Sequence, residues 1–169
     1  KGYKGDLDVE IAGRGIRSGA LRADTFSLEA KGTTGDHRIT VAAARDKDRM
    51  DGLAQGKYAD GAWQGRILKV SGSQVPFGRW DLAGPASVSV SKKRVSLSPF
   101  VLTSKGGEKI DIGADIAFEP MVGFASAKWQ EVNLARVGRF TGQSQLEGRT
   151  SGTSRVQWLR GNRLALSGE

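Results

Sequence analysis

Apolar and polar residues alternate with a period of two through most of this 169-residue chain, and this pattern constrains the fold most strongly. In the segment 109–118, Ile110 and Ile112 point to one side of an extended strand, while Asp111 and Asp115 point to the other. Successive side chains of a β-strand lie on opposite faces, so this period predicts strands rather than helices. One apolar and one polar face per strand is typical of antiparallel sheets with a solvated side. The pattern therefore predicts an all-β fold.

Composition limits how that apolar face is covered. Leucine, isoleucine, valine and phenylalanine together supply 38 residues, and glycine supplies 24, a share about twice the average. This number of large apolar side chains is too small for a thick core covered on both sides. The remaining possibility is a sheet that curls so that its apolar face covers itself. A closed barrel, a sandwich and an open trough all satisfy this condition.

Several classes of function are excluded at this stage. The chain has no cysteine and one histidine, so we expect no disulfide, no thiol nucleophile and no metal site. No apolar run approaches the roughly 20 residues of a membrane-spanning helix. No signal peptide is recognisable, and because the chain begins at Lys1 we expect it to be one β-trough segment, residues 1–169, of a longer protein with several repeats.

No catalytic motif is complete in this sequence. Ser89 and Lys92 fit a Ser-x-x-Lys nucleophile motif, but they lie in a predicted strand and point to opposite faces. The segment 46–52 begins like a calcium loop, yet Met50 and Asp51 stand where a ligand and a glycine are needed. We therefore predict that the chain is not an enzyme, with no catalytic residue, no metal and no cofactor.

Charge and tryptophan content leave binding functions open. The net charge is +8, but the arginines are spread along the chain, and the densest basic run, 92–94, is predicted to be a solvated turn. No RNA-recognition or zinc-finger spacing is present, so nucleic acid is not an expected partner. The four tryptophans are interpreted as anchors in the apolar face, with a glycan-binding β-sandwich kept as an alternative.

Element boundaries follow from turn residues between the alternating segments. Separate strands are predicted over 94–98 and 99–104, and a further strand over 143–149. One helical turn is predicted, capped at its start by Asn133 and ended by Gly138.

Short motifs occur in a fixed order along the middle of the chain. In sequence they are Gly35-Asp36-His37, Ile39-Thr40-Val41, Leu53-Ala54-Gln55-Gly56, Asp60-Gly61-Ala62-Trp63, Gly78-Arg79-Trp80-Asp81-Leu82, Phe100-Val101-Leu102-Thr103 and Leu146-Glu147-Gly148-Arg149. Their order over residues 20–169 resembles the repeating strand pattern of the TamB family, the translocation and assembly module of Gram-negative envelopes. That family is related to the AsmA-like and chorein-type bridge proteins.

The resemblance implies a fold, a location and partners. The implied fold is a long curled antiparallel sheet that forms an open U-shaped trough, or β-taco, with an apolar interior. The implied function is a hydrophobic conduit that guides phospholipid between the inner and outer membranes and is linked to outer-membrane protein assembly. Implied partners are phospholipid acyl chains and a TamA-like outer-membrane barrel, and the implied location is the periplasm, with a membrane anchor outside this segment.

Combined with the alternation, the resemblance identifies candidate lining residues for lipid. They are Ile39, Val41, Leu53, Ile67, Val88, Val90, Val95, Leu97, Ile110, Ile112, Ile116 and Phe118. Burial of apolar area would supply the binding energy, at about 25 cal/mol per Å². The alternative is a scaffold or chaperone that binds unfolded outer-membrane barrel proteins by adding a strand at a sheet edge.

Overall fold

The structure, a computed structural model, describes residues 5–18, 21–74, 78–141, 145–161 and 163–169. In chain order the strands are β1 (Asp6–Ser18), β2 (Leu21–Thr33), β3 (Asp36–Arg45), β4 (Asp48–Ala59), β5 (Ala62–Gln74), β6 (Gly78–Leu82), β7 (Ala86–Ser91), β8 (Arg94–Ser104), β9 (Lys109–Phe118), β10 (Met121–Asn133), β11 (Arg149–Leu159) and β12 (Arg163–Gly168). One helix, α1 (Leu134–Thr141), lies between β10 and β11.

All these strands belong to one antiparallel sheet in which each strand pairs with its neighbours in the chain, except that β6 and β7 do not pair with each other. Strands β6 and β7 lie end to end between β5 and β8, so together they occupy one position. Strands β1 and β12 form the two edges and do not pair with each other. The prediction of an all-β, curled antiparallel sheet forming an open trough is confirmed, and the described residues form neither a closed barrel nor a sandwich.

Tight turns explain why consecutive strands pair. The β4–β5 hairpin turns at Asp60 and Gly61, which both have positive φ angles, 51° and 74°. Two consecutive residues with positive φ are the requirement of the type I′ turn, whose twist matches that of the flanking strands. The Asp-Gly pair therefore fixes this hairpin locally, as the sequence predicts.

A line of irregularities crosses three neighbouring strands in the middle of the sheet. The pairing of β4 with β5 shifts at Leu68, and the pairing of β8 with β9 shifts at Ser98 and Pro99. Between them, residues 83–85 separate β6 from β7, and the Ala83 amide donates to the Val101 carbonyl at 2.8 Å. Bulges bend strands and increase their twist, so we expect the sheet to bend along this line. It also joins the predicted strands 94–98 and 99–104 into one bulged strand, β8.

Helix α1 begins as predicted and ends later. The Asn133 side-chain oxygen accepts the Ala135 amide at 2.9 Å, which is an N-cap. The helix continues past Gly138 to Thr141, so the predicted stop at Gly138 is wrong. The predicted strand over 143–149 is also wrong where it is described, because the sheet resumes only at Arg149 and the Gly148 carbonyl instead accepts the Leu134 amide at 2.9 Å. Residues 143 and 144 lie outside the described residues.

A buried carboxylate ties the helix to the sheet. Glu108, only 2% exposed, precedes β9, and its Oε2 accepts Arg136 Nη1 and Ser104 Oγ, each at 2.5 Å. Its Oε1 accepts the Asn133 amide at 3.1 Å. A buried charge is tolerated when it is paired and fully hydrogen-bonded. Glu108 therefore holds the start of α1 against the β8–β9 turn.

Candidate functional site

Strand register assigns the side chains to two faces. Partners opposite each other in an antiparallel pair share a face, and residues two apart along a strand also share it. One row across the sheet contains Ile39, Ala54, Ile67 and Ala86. A second row, further along the sheet, contains Leu97, Ala114, Ala125 and Val156. We call the side that carries these rows the apolar face, and its opposite the polar face.

Eleven of the twelve predicted lining residues lie on the apolar face. They are Ile39, Val41, Ile67, Val88, Val90, Val95, Leu97, Ile110, Ile112, Ile116 and Phe118. The remaining one, Leu53, pairs with Thr40 and Lys69 and lies on the polar face, which corrects its predicted placement. The apolar face of β4 is built from small residues such as Gly52 and Ala54, and Leu53 is the larger apolar residue between them.

The register adds residues to the apolar face that the sequence analysis did not assign to the lining. They include Val9, Ile11, Phe26, Leu28, Met50, Val70, Leu82, Phe100, Leu102, Val156, Leu164 and Leu166. All four tryptophans lie on this face as well, as the interpretation as apolar anchors predicts. The signal that identifies them is the same alternation, extended across the sheet by the pairing partners.

The apolar face is only partly covered, and most of the predicted lining residues on it are half-buried. Among the described residues, the buried apolar ones are Ala30 and Ala86, and no large side chain is fully buried. Val90 is 45% exposed, Phe118 41% and Leu166 77%. Soluble proteins seldom expose a continuous apolar surface of this extent unless it binds something. The face is therefore the candidate site.

At one place the apolar face contains a buried polar contact, which we call the Trp63 site (His37, Gly56, Trp63 and Gly65). The Trp63 indole nitrogen donates to His37 Nε2 at 2.7 Å, and His37 Nδ1 lies 2.9 Å from the Thr33 carbonyl oxygen. This geometry assigns the neutral imidazole with its proton on Nδ1, because Nε2 accepts. His37 therefore satisfies an indole in the apolar face and has a structural role.

The indole of Trp63 reaches His37 across two glycines. A Cβ atom at Gly56 would lie 2.6 Å from Trp63 Cζ2, and one at Gly65 would lie 2.6 Å from Trp63 Cη2. Glycine is required at both positions because any side chain would occupy the space of the ring. The ring in turn covers backbone that the glycines leave bare.

The same arrangement recurs at the Trp129 site (Trp129, Thr150 and Gly152). A Cβ atom at Gly152 would lie 2.7 Å from Trp129 Cζ2. The Trp129 indole nitrogen lies 3.5 Å from Thr150 Oγ1, which is a long contact for a hydrogen bond. Tryptophan over glycine is therefore a repeated way of filling this face.

The polar face carries exposed ion pairs. Arg94 donates to both carboxylate oxygens of Asp115, at 2.6 and 2.5 Å, and Arg79 donates in the same way to Asp81. The hydrogen bonds from Arg94 lower the pKa of Asp115, and those from Arg79 lower the pKa of Asp81. Arg155 stacks on the Phe124 ring, 4.0 Å from its centroid.

A concavity of about 600 Å³ opens on the polar face over β8–β11. Its lining mixes hydroxyls with charges of both signs, including Ser96, Ser126, Asp111, Lys128 and Arg155. Most of the residues that line it lie on the polar face, although Leu97 and Ile112 of the predicted lining also border it.

The described residues hold no group of three side chains suited to binding a metal ion. In the same part of the chain, the helix is too short and too polar to cross a lipid bilayer.

Comparison with known proteins gives one match. The family model "TamB, N-terminal domain" matches residues 2–168, nearly the whole chain. Neither the curated proteins nor the solved structures contain a significant match. The chain therefore belongs to the TamB family.

Proposed function

We propose that this member of the TamB family forms one section of a hydrophobic conduit that guides phospholipid acyl chains between the inner and outer membranes. The family acts in the bacterial envelope, in a translocation and assembly module with TamA. For this chain we propose a periplasmic location, a membrane anchor outside the segment 1–169, and a TamA-like outer-membrane partner. The chain itself carries no chemistry in this proposal and binds lipid by burying apolar surface.

The observation that supports the proposal is the continuous and partly exposed apolar face. Neighbouring strands lie about 4.8 Å apart, so the eleven strand positions give a path about 48 Å long. Acyl chains lying on it would bury side chains such as Val90 and Phe118, which are otherwise solvated. Each Å² of apolar area removed from water contributes about 25 cal/mol. A continuous face allows a chain to slide because neighbouring positions offer similar contacts.

Photocrosslinking in cells tests the proposal. A photoreactive amino acid at Val90, Ile112 or Ile116 of the full-length protein is expected to capture phospholipid. The matched controls are Ser89, Asp111 and Ala117, which are adjacent in the same strands but lie on the polar face. Equal capture on the two faces, or none on the apolar face of an active protein, would contradict the conduit.

The second candidate function is strand addition at a sheet edge. It is supported by β1 and β12, each of which has one side without a partner strand among the described residues, and by β1 being 13 residues long. Backbone N–H groups along an edge are available to a client strand.

Proline separates the two candidates. Val9 and Glu10 are adjacent in β1, so the N–H group of one points toward β2 and that of the other points away from it. Proline at the residue whose N–H points away removes a hydrogen-bond donor only from the free edge. Strand addition predicts that one of these two variants impairs barrel assembly while Ile112→Asp does not. The conduit predicts the reverse.

A further inference from the structure

Three arginines from three neighbouring strands converge at one end of the sheet. Arg17 of β1, Arg22 of β2 and Arg45 of β3 line a pocket of about 540 Å³. The pocket is also lined by Gly15, Ile16, Ala23, Asp24 and Asp46. The positive charge is spread along the sequence, and the pairing of β1, β2 and β3 concentrates part of it here.

The pocket adjoins the apolar face. Phe26 and Ala43 are opposite each other on that face. Arg22 and Asp24 lie four and two residues before Phe26 in β2, and Arg45 lies two residues after Ala43 in β3. The period of two therefore brings all three to the groove side of the strands, just beyond its apolar rows. Arg17 is paired directly with Arg22.

The charges of this pocket are not balanced internally. Like charges directly opposite each other in a sheet are destabilising, and Arg17 and Arg22 are such a pair. None of the three arginines forms an ion pair with another described residue. Of the two carboxylates, Asp24 already accepts the Asp46 amide at 2.7 Å. Three guanidinium groups therefore face two carboxylates, so the pocket has a net positive charge that an anion would neutralise.

We propose that this arginine pocket binds the phosphate of an anionic phospholipid headgroup whose acyl chains lie on the adjoining apolar face. Guanidinium groups suit phosphate because their planar donors form two parallel hydrogen bonds with its oxygens. The first apolar contacts for the acyl chains are Phe26 and Met50, which share a row with Ala43. The inference rests on the proposed conduit and adds a point at which the headgroup is held.

The test compares two triple variants of the whole chain. R17Q/R22Q/R45Q removes the pocket charges, and R38Q/K57Q/R66Q removes the same net charge from exposed positions on the polar face. Binding of dioctanoyl phosphatidylglycerol, dioctanoyl phosphatidylcholine and inorganic phosphate is measured by calorimetry, with the lipids below their micelle concentrations. Unfolding midpoints verify that both variants fold, and the pocket variant is expected to be at least as stable because the Arg17–Arg22 repulsion is gone.

The pocket variant is expected to bind phosphatidylglycerol about tenfold or more weakly, with less than about a twofold change for phosphatidylcholine. The polar-face variant is expected to change neither by more than about twofold, because its charges lie away from the pocket. An equal loss in both variants, or none in the pocket variant, would overturn the headgroup site while leaving the conduit intact.

Two further outcomes are decisive. If inorganic phosphate binds the unmodified chain as tightly as phosphatidylglycerol and the pocket variant loses both, the pocket is a free-anion site and the lipid assignment is wrong. If the unmodified chain binds neither lipid, the conduit proposal itself fails.

Discussion

The Trp63 site and the Trp129 site use the same device with different partners. In each, an indole ring covers a glycine of a neighbouring strand on the apolar face. The Trp63 indole nitrogen donates a short hydrogen bond to His37, which is 6% exposed, whereas the Trp129 indole nitrogen makes only a 3.5 Å contact with Thr150. The glycine beneath the indole ring, rather than the polar partner of the indole nitrogen, is therefore the requirement that the two sites share.

The two sites also differ in what surrounds the glycine. At Gly65 the nearest backbone atoms to a Cβ would be the Gln55 carbonyl oxygen at 2.4 Å and Gly56 Cα at 2.8 Å, both in the central strand β4. At Gly152 the nearest backbone atom is the carbonyl oxygen of Glu169, the final residue of the chain, at 2.6 Å. A Cβ atom at Gly65 would therefore collide with two backbone atoms of β4, whereas one at Gly152 would collide with a single backbone atom.

The largest expected effect is therefore on glycine substitution. Gly65→Ala is expected to lower the free energy of unfolding by about 3 kcal/mol, and Gly152→Ala by about 1 kcal/mol. The control is Gly52→Ala, where a Cβ would meet nothing nearer than 4.0 Å and little change is expected. Urea unfolding of the three variants checks this order. Equal losses at Gly65 and Gly152 would show that the single backbone collision at Gly152 is as costly as the two at Gly65.

A smaller effect is expected when the polar partners are removed. His37→Phe keeps a ring but leaves the Trp63 N–H and the Thr33 carbonyl without their partners, which costs about 2 kcal/mol. Thr150→Val removes only the long contact to Trp129 and is expected to cost less than about 0.5 kcal/mol. Thermal unfolding monitored by tryptophan fluorescence measures both. A cost at Thr150 matching that at His37 would mean that the two indoles depend on their partners equally.

The smallest effect concerns pH and the Arg94–Asp115 pair on the polar face. The pKa of Asp115 is lowered by its hydrogen bonds from Arg94, so folding favours the ionised carboxylate. The resulting stability is present above the unfolded-state pKa of about 3.9 and is lost as the pH falls through the lower folded-state pKa. Asp115→Asn is expected to flatten the decline of the unfolding free energy below about pH 4.

The control for this measurement is Asp111→Asn, which removes a carboxylate from the same strand. Asp111 forms no ion pair with a described residue, so its variant is expected to keep the acid-dependent decline. A flattened decline in the control would attribute the effect to general charge rather than to the Arg94–Asp115 pair. Because that pair is largely exposed, high salt is expected to reduce the difference.

Local sequence was sufficient for the strands, most hairpins and the start of the helix. Alternation in 109–118 predicts β9, the Asp60-Gly61 pair predicts its turn, and Asn133 caps α1. The predictions that are wrong concern segments whose conformation depends on contacts with residues distant in the sequence. Residues near Gly148 turn back to meet the helix instead of forming a strand, and the helix passes Gly138. The Glu108–Arg136 pair, which spans 28 residues and fastens the helix, has no local signature.

The candidate site shows the same division. Alternation alone was enough to place residues such as Ile112 and Val90 on one face, because side-chain direction follows from strand geometry. Leu53 was misplaced because its own strand has small residues on the apolar face, and only its pairing with Lys69 reveals its side.

By itself, then, the sequence determined that this protein is an all-β chain with one apolar face and too few large apolar residues to cover it. It did so because strand periodicity and turn chemistry act over a few residues. Only the tertiary structure decided that the sheet stays open, that Trp63 reaches His37 across two glycines, and that Arg17, Arg22 and Arg45 meet at one end of the groove. These features depend on which strands pair and in which register, and pairing joins residues that are far apart in the chain.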